Sequence, residues 1–350
     1  MLIALGSFFG MFLITALALY AARNAFPRLG LLDFPERYNL QRPRLPYPSG
    51  AAIVGAFIIV FASTQTMNIQ NLGVLFAILF LALLSFIDDR TPLSPMVRLG
   101  AQCTVGLIVF LTGTRIFSLT NPFELWTGIP VVPLDRFVVI SETFSNPSII
   151  GSIFTIVWLC LTMNAMNWLD GIPGQVDAHA TIGFIVIGSL AFSDRVEQPQ
   201  VAILAFILAG MAAASLSFHF PPARMILGDT GAMFYGLLLG ILTIYAGGKL
   251  ATAFLVLGIP LVDCGVVVMR RILRKQSPLR STPEHLHHLL LRRGWTPQSI
   301  ILLTTTIGTA FGSTALVLSS IGKAAALLLL IVLVSSLSIW AQRRNGQGLT

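Results

Sequence analysis

The sequence predicts an all-α polytopic membrane protein that forms a single integral-membrane domain over residues 1–350. Hydrophobic residues make up 55% of the chain and charged residues only 10%, and the mean hydropathy is +0.83. A soluble domain carries roughly 25% charged residues, so this chain lacks the polar surface that a soluble protein needs. The apolar residues also form long runs separated by short polar segments, which is typical of a chain that crosses a bilayer several times.

A bilayer core needs about 20 apolar residues per helix, and this template predicts about eleven transmembrane helices. Their expected starts lie near Leu2, Gly50, Leu72, Val97, Ile149, Ala178, Gln200, Gly231, Leu250, Ser299 and Ala324. The longest polar stretch between them, residues 115–148, contains β-forming pairs such as Val131-Val132 and the run Phe137-Val138-Val139-Ile140. A short hairpin is expected there.

The basic residues predict the orientation. With the N-terminus outside and the C-terminus cytoplasmic, all but five of the 22 Lys and Arg residues lie on the inner side, as the positive-inside rule requires. The five outer residues are Arg115, Arg136, Arg195, Lys249 and Lys323. The net charge of +8 therefore has a membrane origin, and nucleic acid is not an expected partner. Every histidine falls on the inner side, so the predicted active site faces the cytoplasm.

The first inner-face motif is the acid pair Asp88 and Asp89, at the end of the third span. Neighbouring residues on a helix point about 100° apart, so both carboxylates can border one cavity. Two such charges at a membrane edge are unfavourable unless a cation or a proton is shared, which indicates a functional site. The alternative is a solvated helix end with Arg90 as the counter-ion.

The second motif ends the fifth span, where Asn164 and Asn167 share a helix face and Asp170-Gly171 forms a turn. Two amides and a carboxylate suit a polar ligand such as a nucleotide. The alternative is simple helix termination, because Asn, Asp and Gly are common at helix ends.

The third motif, Gly228-Asp229-Thr230-Gly231, leads into the eighth span. A carboxylate between glycines allows the backbone and a metal-bound diphosphate to approach each other closely. The alternative is that Asp229 caps the helix that follows it.

The fourth motif places His285, His287 and His288 in the most basic loop. Thr282 as N-cap and Pro283 at the first helical position predict a helix start. The histidines then occupy the first turn, where unpaired N–H groups favour an anion. A phosphate site is the prediction; a zinc site or structural histidines are the alternatives.

A further acid, Asp263, lies within the ninth span. An ionisable residue inside a membrane segment usually has a function, and pairing with an arginine of the basic loop is the alternative. An ion-coupled transporter that uses Asp263 and the acid pair is therefore a second hypothesis. Against it, the polar residues crowd one membrane face and the sequence shows no internal repeat of the kind found in transporters.

Taken in order, these motifs resemble those of the polyprenyl-phosphate N-acetylhexosamine-1-phosphate transferases, the MraY and WecA superfamily. The likeness runs from Asp88 to about Gly294 and includes Gly258-Ile259-Pro260 leading to Asp263. The span count and the His-x-His-His spacing are closer to the WecA and TagO branch. Three features depart from the family pattern. Pro173 stands where a second Asp is usual. The first inner loop reads Arg37-Tyr38-Asn39-Leu40 where a Lys-x-His is common, and Pro46-Tyr47-Pro48-Ser49-Gly50 where an Arg and a Gly-Gly pair are common.

The resemblance implies an enzyme that transfers a sugar-1-phosphate from a UDP-sugar to polyprenyl phosphate and releases UMP, with Mg²⁺ or Mn²⁺ as cofactor. It implies that Asp229 is the metal ligand and that Asp88 or Asp89 positions or deprotonates the lipid phosphate. The implied substrate-binding residues are Asn164, Asn167, Asp170, Gly228, Thr230, His285, His287 and His288. The expected partners are the UDP-sugar and the lipid, with a homodimer left open, and the expected location is the cytoplasmic membrane.

Overall fold

The computed structural model describes residues 1–38, 42–121, 127–129, 131–134, 148–246, 250–277 and 284–343. These residues form helices, two 3₁₀ turns at Phe26–Leu29 and Pro35–Tyr38, and one short strand pair. The helices are α1 (Leu2–Ala25), α2 (Gly50–Thr64), α3 (Ile69–Arg90), α4 (Pro95–Leu111), α5 (Ile149–Leu169), α6 (Gln175–Phe192), α7 (Pro199–His219), α8 (Gly228–Tyr245), α9 (Leu250–Val256), α10 (Gly258–Leu273), α11 (Leu286–Arg292), α12 (Pro297–Val317) and α13 (Ser320–Arg343).

Within the described residues, eight helices are long and apolar enough to cross a membrane, namely α1, α3, α5, α6, α7, α8, α12 and α13. Helices α2 and α4 are apolar but shorter, with 15 and 17 residues. The chain is therefore an all-α protein with several membrane-spanning helices, as the composition predicts. The count of eleven spans and the outer N-terminus stay predictions.

The ninth predicted span is not one continuous helix. The chain forms the seven-residue α9, breaks at Leu257 and continues as α10 from Gly258. Pro260 explains the break, because it lacks the N–H that a continuous helix would need to bond the Val256 carbonyl. The predicted span from Leu250 therefore consists of two consecutive helices.

Helices α3, α4 and α12 begin two or three residues before their predicted starts, and α5 begins at Ile149 as predicted. Asn68, Ser94, Ser148 and Thr296 stand at the N-caps of α3, α4, α5 and α12, and each side chain accepts a hydrogen bond from a backbone N–H in the first turn. Such caps satisfy N–H groups that the start of a helix leaves unpaired. The helices therefore start at these polar residues.

Helix α8 is the centre of the bundle. Within its membrane-spanning stretch 89% of the residues are buried, against 22% for α1 and for α13. Close packing depends on small residues, since a Cβ on Gly236 would lie 2.7 Å from the Met163 Cα of α5, and glycines let helices in membranes approach closely. The start of α8 is thus held in a fixed place among its neighbours.

The expected hairpin is present in part. Strand β1 (Ser118–Thr120) pairs antiparallel with β2 (Val131–Pro133), with Leu119 opposite Val132. The second β-forming run, 137–140, lies outside the described residues.

Candidate active site

A carboxylate from α3 caps the start of α8. The Asp229 N–H donates to Asp89 Oδ1 over 2.8 Å, and the Thr230 N–H donates to Asp89 Oδ2 over 3.1 Å. The Thr230 hydroxyl donates to Oδ2 over 2.5 Å and the Tyr47 hydroxyl to Oδ1 over 2.6 Å. A negative charge is favourable here, because a helix start carries unpaired N–H groups and partial positive charge. The expected alternative that Asp229 caps its own helix is wrong, since Leu227 is the N-cap and Asp89 supplies the acceptor.

The first inner loop packs closely against this cap. Burial and the neighbouring Asp89 raise the pKa of Tyr47 above its ordinary value, so its hydroxyl stays a donor. Gly228 has a φ of +80°, and a Cβ there would lie 2.7 Å from Pro48 Cβ and 2.9 Å from Asp89 Oδ2. Only glycine meets both requirements without strain.

The other member of the acid pair has a different partner. Asp88 is buried, accepts the Leu93 N–H over 2.6 Å and lies 3.2 Å from Arg98 Nε. The same guanidinium reaches Asp229, with Arg98 Nη1 3.5 Å from Oδ2. Asp229 keeps 30% of its side chain exposed, against 4% for Asp88. Asp229 is therefore more open to a ligand than Asp88. The expected alternative of Arg90 as counter-ion is wrong for this pair, because Arg98 takes that place.

A fourth carboxylate, Asp170, follows the end of α5. Its pKa is raised by burial and by the nearby carboxylates of Asp177, Asp229 and Asp89, and a hydrogen bond from the Gly228 N–H opposes this only in part. The start of α8 is thus approached by acids from α3 and from the end of α5. Such crowding of like charges favours a bound cation or proton.

The two asparagines of the second motif have different surroundings. The Asn164 amide donates to Gln102 Oε1 over 2.6 Å and to the Cys160 carbonyl over 2.8 Å, so its donors are already used between α4 and α5. Asn167 Nδ2 is buried and has no hydrogen-bond partner among the described residues. A buried donor of this kind is unfavourable unless it meets an acceptor. Asn167 is therefore better placed than Asn164 to contact a ligand.

The helix that carries the histidines begins later than predicted. Thr282 and Pro283 lie outside the described residues, and within them the helix begins at Leu286, with His285 as its N-cap. Asp263 Oδ1 accepts the Leu286 N–H over 2.9 Å, and Asp263 Oδ2 lies 2.9 Å from His285 Nδ1. The alternative reading pairs Asp263 with an arginine of the basic loop, whereas its carboxylate hydrogen-bonds with His285 and caps α11. An internal carboxylate thus stands where a bound anion was predicted.

The remaining histidines reach the second motif. The His287 ring packs so closely on Gly171 that a Cβ there would overlap it, and it stacks on His285 with ring centroids 5.9 Å apart. Burial and the neighbouring histidines lower the pKa of His287 and of His288. His287 Nε2 is buried and has no hydrogen-bond partner among the residues described. Both rings are therefore neutral near pH 7 in the ligand-free protein.

Trp168, in the second motif, contacts the histidine motif and the basic end of α10. Its ring lies 5.4 Å from the His285 ring and 5.6 Å from the Arg271 guanidinium. Arg271 is almost fully buried, with 2% of its surface exposed. The four motifs that are far apart in sequence are thus connected through contacts at the ends of α3, α5, α8, α10 and α11.

Comparison with known proteins identifies this arrangement. Residues 71–247, half of the chain, match the family described as glycosyl transferase family 4. The chain belongs to this family. It is 27% identical to the probable undecaprenyl-phosphate N-acetylglucosaminyl 1-phosphate transferase of Bacillus subtilis, over 90% of this chain and 85% of the relative. It is 26% identical to the undecaprenyl-phosphate α-N-acetylglucosaminyl 1-phosphate transferase of Escherichia coli K12, over 84% and 78%, and 26% identical to that of Haemophilus influenzae, over 86% and 83%. The resemblance found from the motifs is confirmed.

Two polar residues of this family 4 transferase were not predicted as part of the site. The sequence indicates only that Arg98 is a positive charge on the inner side. In the structure Arg98 lies in the first turn of α4, and its guanidinium contacts Asp88 and Asp229. Tyr47 was noted only as part of a divergent loop, yet its hydroxyl binds Asp89. The proline residues on either side of Tyr47 were the available signal, since they mark an ordered turn.

The acids fit a divalent cation in charge and in donor type. Four carboxylates lie close together, those of Asp88, Asp89, Asp170 and Asp229. Among the described contacts, the positive charge that pairs with them is the guanidinium of Arg98. Carboxylate oxygens are the ligands that Mg²⁺ prefers. Within the part of the chain that is described, no group of three or more His, Cys, Asp or Glu residues is arranged to enclose a metal ion.

Proposed function

We propose that this protein transfers a sugar-1-phosphate, N-acetylhexosamine-1-phosphate, from a UDP-sugar to undecaprenyl phosphate at the cytoplasmic face of the membrane. In this reaction an oxygen of the lipid phosphate attacks the phosphorus that carries the sugar. A new P–O bond forms, the bond to the other phosphate breaks, and UMP leaves. The names of the relatives support this class of reaction over the ion-coupled transporter.

One observation carries the proposal. The exposed carboxylate of Asp229 stands at the start of α8 and is held there by bonds from its own backbone and that of Thr230 to Asp89. Phosphoryl transfer between two polyanions depends on positioning and on neutralisation of charge. A rigidly placed carboxylate that can hold Mg²⁺ beside a helix start satisfies both needs.

The contacts change the role proposed for the acid pair. Asp89 already accepts four hydrogen bonds, and Asp88 is engaged by Arg98 and the Leu93 N–H. Neither carboxylate is free to remove a proton. A phosphate monoester, with a second pKa of about 6, is already ionised near pH 7, so the lipid phosphate needs no base. We assign Asp89 and Asp88 to positioning Asp229 and Arg98.

The metal and a histidine would both bind the negatively charged phosphates. Asp229, with Asp170 close by, would hold Mg²⁺, which supplies charge neutralisation on the phosphate oxygens when bound. The unpartnered Nε2 of His287 and the amide of Asn167 are buried groups that a ligand can satisfy. We assign Asn167 and Asp170 to the nucleotide and His287 to a phosphate.

The test is UMP release by the purified protein in detergent with undecaprenyl phosphate and a panel of UDP-sugars. We expect release with UDP-N-acetylhexosamines, dependent on Mg²⁺ or Mn²⁺ and abolished by a chelator. Asp229→Asn should lack activity while its thermal unfolding matches that of the parent. Absence of UMP release from every UDP-sugar, or full activity in excess chelator, would contradict the proposal.

A further inference from the structure

A chain of buried polar side chains lies behind the proposed active site and takes no part in the reaction above. The Tyr235 hydroxyl of α8 donates to Ser215 Oγ over 3.2 Å, and Ser215 donates to Asp177 Oδ1. Asp177 Oδ2 lies 2.8 Å from His219 Nδ1, and His219 Nε2 lies 2.8 Å from Ser49 Oγ. All five residues are fully buried. We call Asp177, His219 and Ser49 the relay.

The relay ends on the segment that carries Asp229. The Ser49 hydroxyl donates to the Ile226 carbonyl over 2.9 Å, and the Ser49 N–H donates to the same oxygen over 2.9 Å. The Gly50 N–H binds the Leu227 carbonyl over 3.0 Å, and the Ile226 N–H binds the Pro46 carbonyl over 3.1 Å. Residues 46–50 and 226–227 are therefore joined by hydrogen bonds immediately before Gly228 and Asp229.

Ser49 departs from the behaviour its position predicts. A serine at a helix N-cap normally accepts a hydrogen bond from an N–H of the first turn. Ser49 is the N-cap of α2, yet its side chain makes no such bond and instead meets His219 and the Ile226 carbonyl. A local rule broken in this way usually marks a functional demand. The first inner loop is thus connected to Asp177 in α6 through His219.

Each polar group of the relay has a partner. The Ser49 oxygen contacts His219 Nε2 and the Ile226 carbonyl, and His219 Nδ1 faces the Asp177 carboxylate. Asp177 also accepts a hydrogen bond from the Ser215 hydroxyl. Buried polar groups are stable when they are hydrogen-bonded in this way.

From these contacts we infer that Asp177, His219 and Ser49 are positioning residues, which fix the 226–229 segment and thereby the Asp229 carboxylate against its phosphate and metal partners. The inference rests on the proposed function. The relay touches no substrate; it acts through the Ile226 carbonyl. Loss of the Ser49 bond should let this segment shift, which lowers kcat and raises the Mg²⁺ concentration needed for half-maximal activity.

Two substitutions of one residue separate the two halves of the relay. In His219→Gln the amide nitrogen reaches about as far as Nε2 and can still bind Ser49, whereas in His219→Asn it reaches only about as far as Nδ1 and can bind Asp177 alone. Both remove the imidazole from the same buried place. Ser49→Ala removes the final contact. His179→Gln is the matched control, because His179 is a buried histidine of α6 that binds the Gln175 carbonyl outside the relay.

The experiment measures kcat, KM for the UDP-sugar, Mg²⁺ activation and the thermal midpoint of each variant in detergent. We expect Ser49→Ala and His219→Asn to lose at least about tenfold in kcat with a raised Mg²⁺ requirement, while His219→Gln stays within about threefold and His179→Gln matches the parent. Equal activity losses in both His219 variants that follow their losses in thermal midpoint would reduce the relay to packing. Parental kinetics in all variants would also overturn the inference, whereas an inactive parent would refute the proposed function instead.

Discussion

Asp89→Asn and Asp229→Asn should fail in different ways, because their carboxylates have opposite surroundings. Asp89 is enclosed by four donors, two on each oxygen. An asparagine presents an NH₂ group to one of these pairs, so two donors lose their acceptor. Hydrogen bonds to a charged group contribute about 1.5–3 kcal/mol each, which gives a loss of about 3–6 kcal/mol in the free energy of unfolding. Asp229 is partly exposed, lies 3.5 Å from Arg98 and also interacts with the side chains of Asp88 and Asn167. An asparagine keeps the shape of this side chain, and losing a partly exposed ion pair should change stability by less than about 1 kcal/mol.

The assay pairs thermal or denaturant unfolding in detergent with UMP release. Asp89→Asn should lower both stability and turnover. Asp229→Asn should lose turnover at parental stability. Thr230→Val serves as a control, because it removes one donor to Asp89 and leaves the carboxylate in place. An Asp89→Asn protein as stable as the parent, or an Asp229→Asn protein as destabilised as Asp89→Asn, would refute the assignment of Asp89 as the cap of α8.

Three further predictions follow from other contacts. Arg98→Gln should leave the buried Asp88 with one partner fewer, and we expect at least a tenfold loss of kcat, about 1.4 kcal/mol of barrier, with parental turnover as the contrary result. Gly50→Ala should destabilise the fold, because its Cβ would overlap the backbone that begins α8, and unchanged unfolding would disprove that contact. Since the pKa values of His287 and His288 are lowered, the folded protein should lose stability as pH falls from about 6.5, the unfolded value, through their folded pKa values. A bound phosphate favours their charged forms, so KM for the UDP-sugar should fall over the same pH range. Replacing His287 and His288 together by Ala should remove the pH dependence of both stability and KM.

The sequence predicts the motifs because each combines rare residue types in a short stretch. In the structure Asp88, Asp89 and Asp170 lie close to Asp229, and His287 packs on Gly171. The partners of these residues could not be predicted, since they depend on contacts between distant segments. Local rules offer Asp229 as a cap and an arginine beside Asp263 as alternatives, but the fold supplies Asp89 as the cap and His285 as the partner.

The relay and the break between α9 and α10 also show what the local sequence does not predict. Asp177 and His219 lie 42 residues apart and each resembles an ordinary polar residue at a helix end. Nothing in the local sequence indicates that Ser49 joins them. Pro260 did offer a local signal for the break between α9 and α10, because a proline inside a helical pattern usually interrupts it, but the apolar run around it predicted a continuous span.

The non-local cap of α8 has a consequence for how the protein is made. Asp89 and Asp170, the carboxylates that receive the first N–H groups of α8, both precede it in the chain. During synthesis these acceptors have therefore already left the ribosome when α8 is made. As α8 enters the membrane, its first N–H groups can exchange hydrogen bonds to water for hydrogen bonds to these carboxylates, and they are not exposed unpaired to lipid. A circular permutant that placed α8 before α3 would reverse this order, and should insert more slowly even if its final structure were the same.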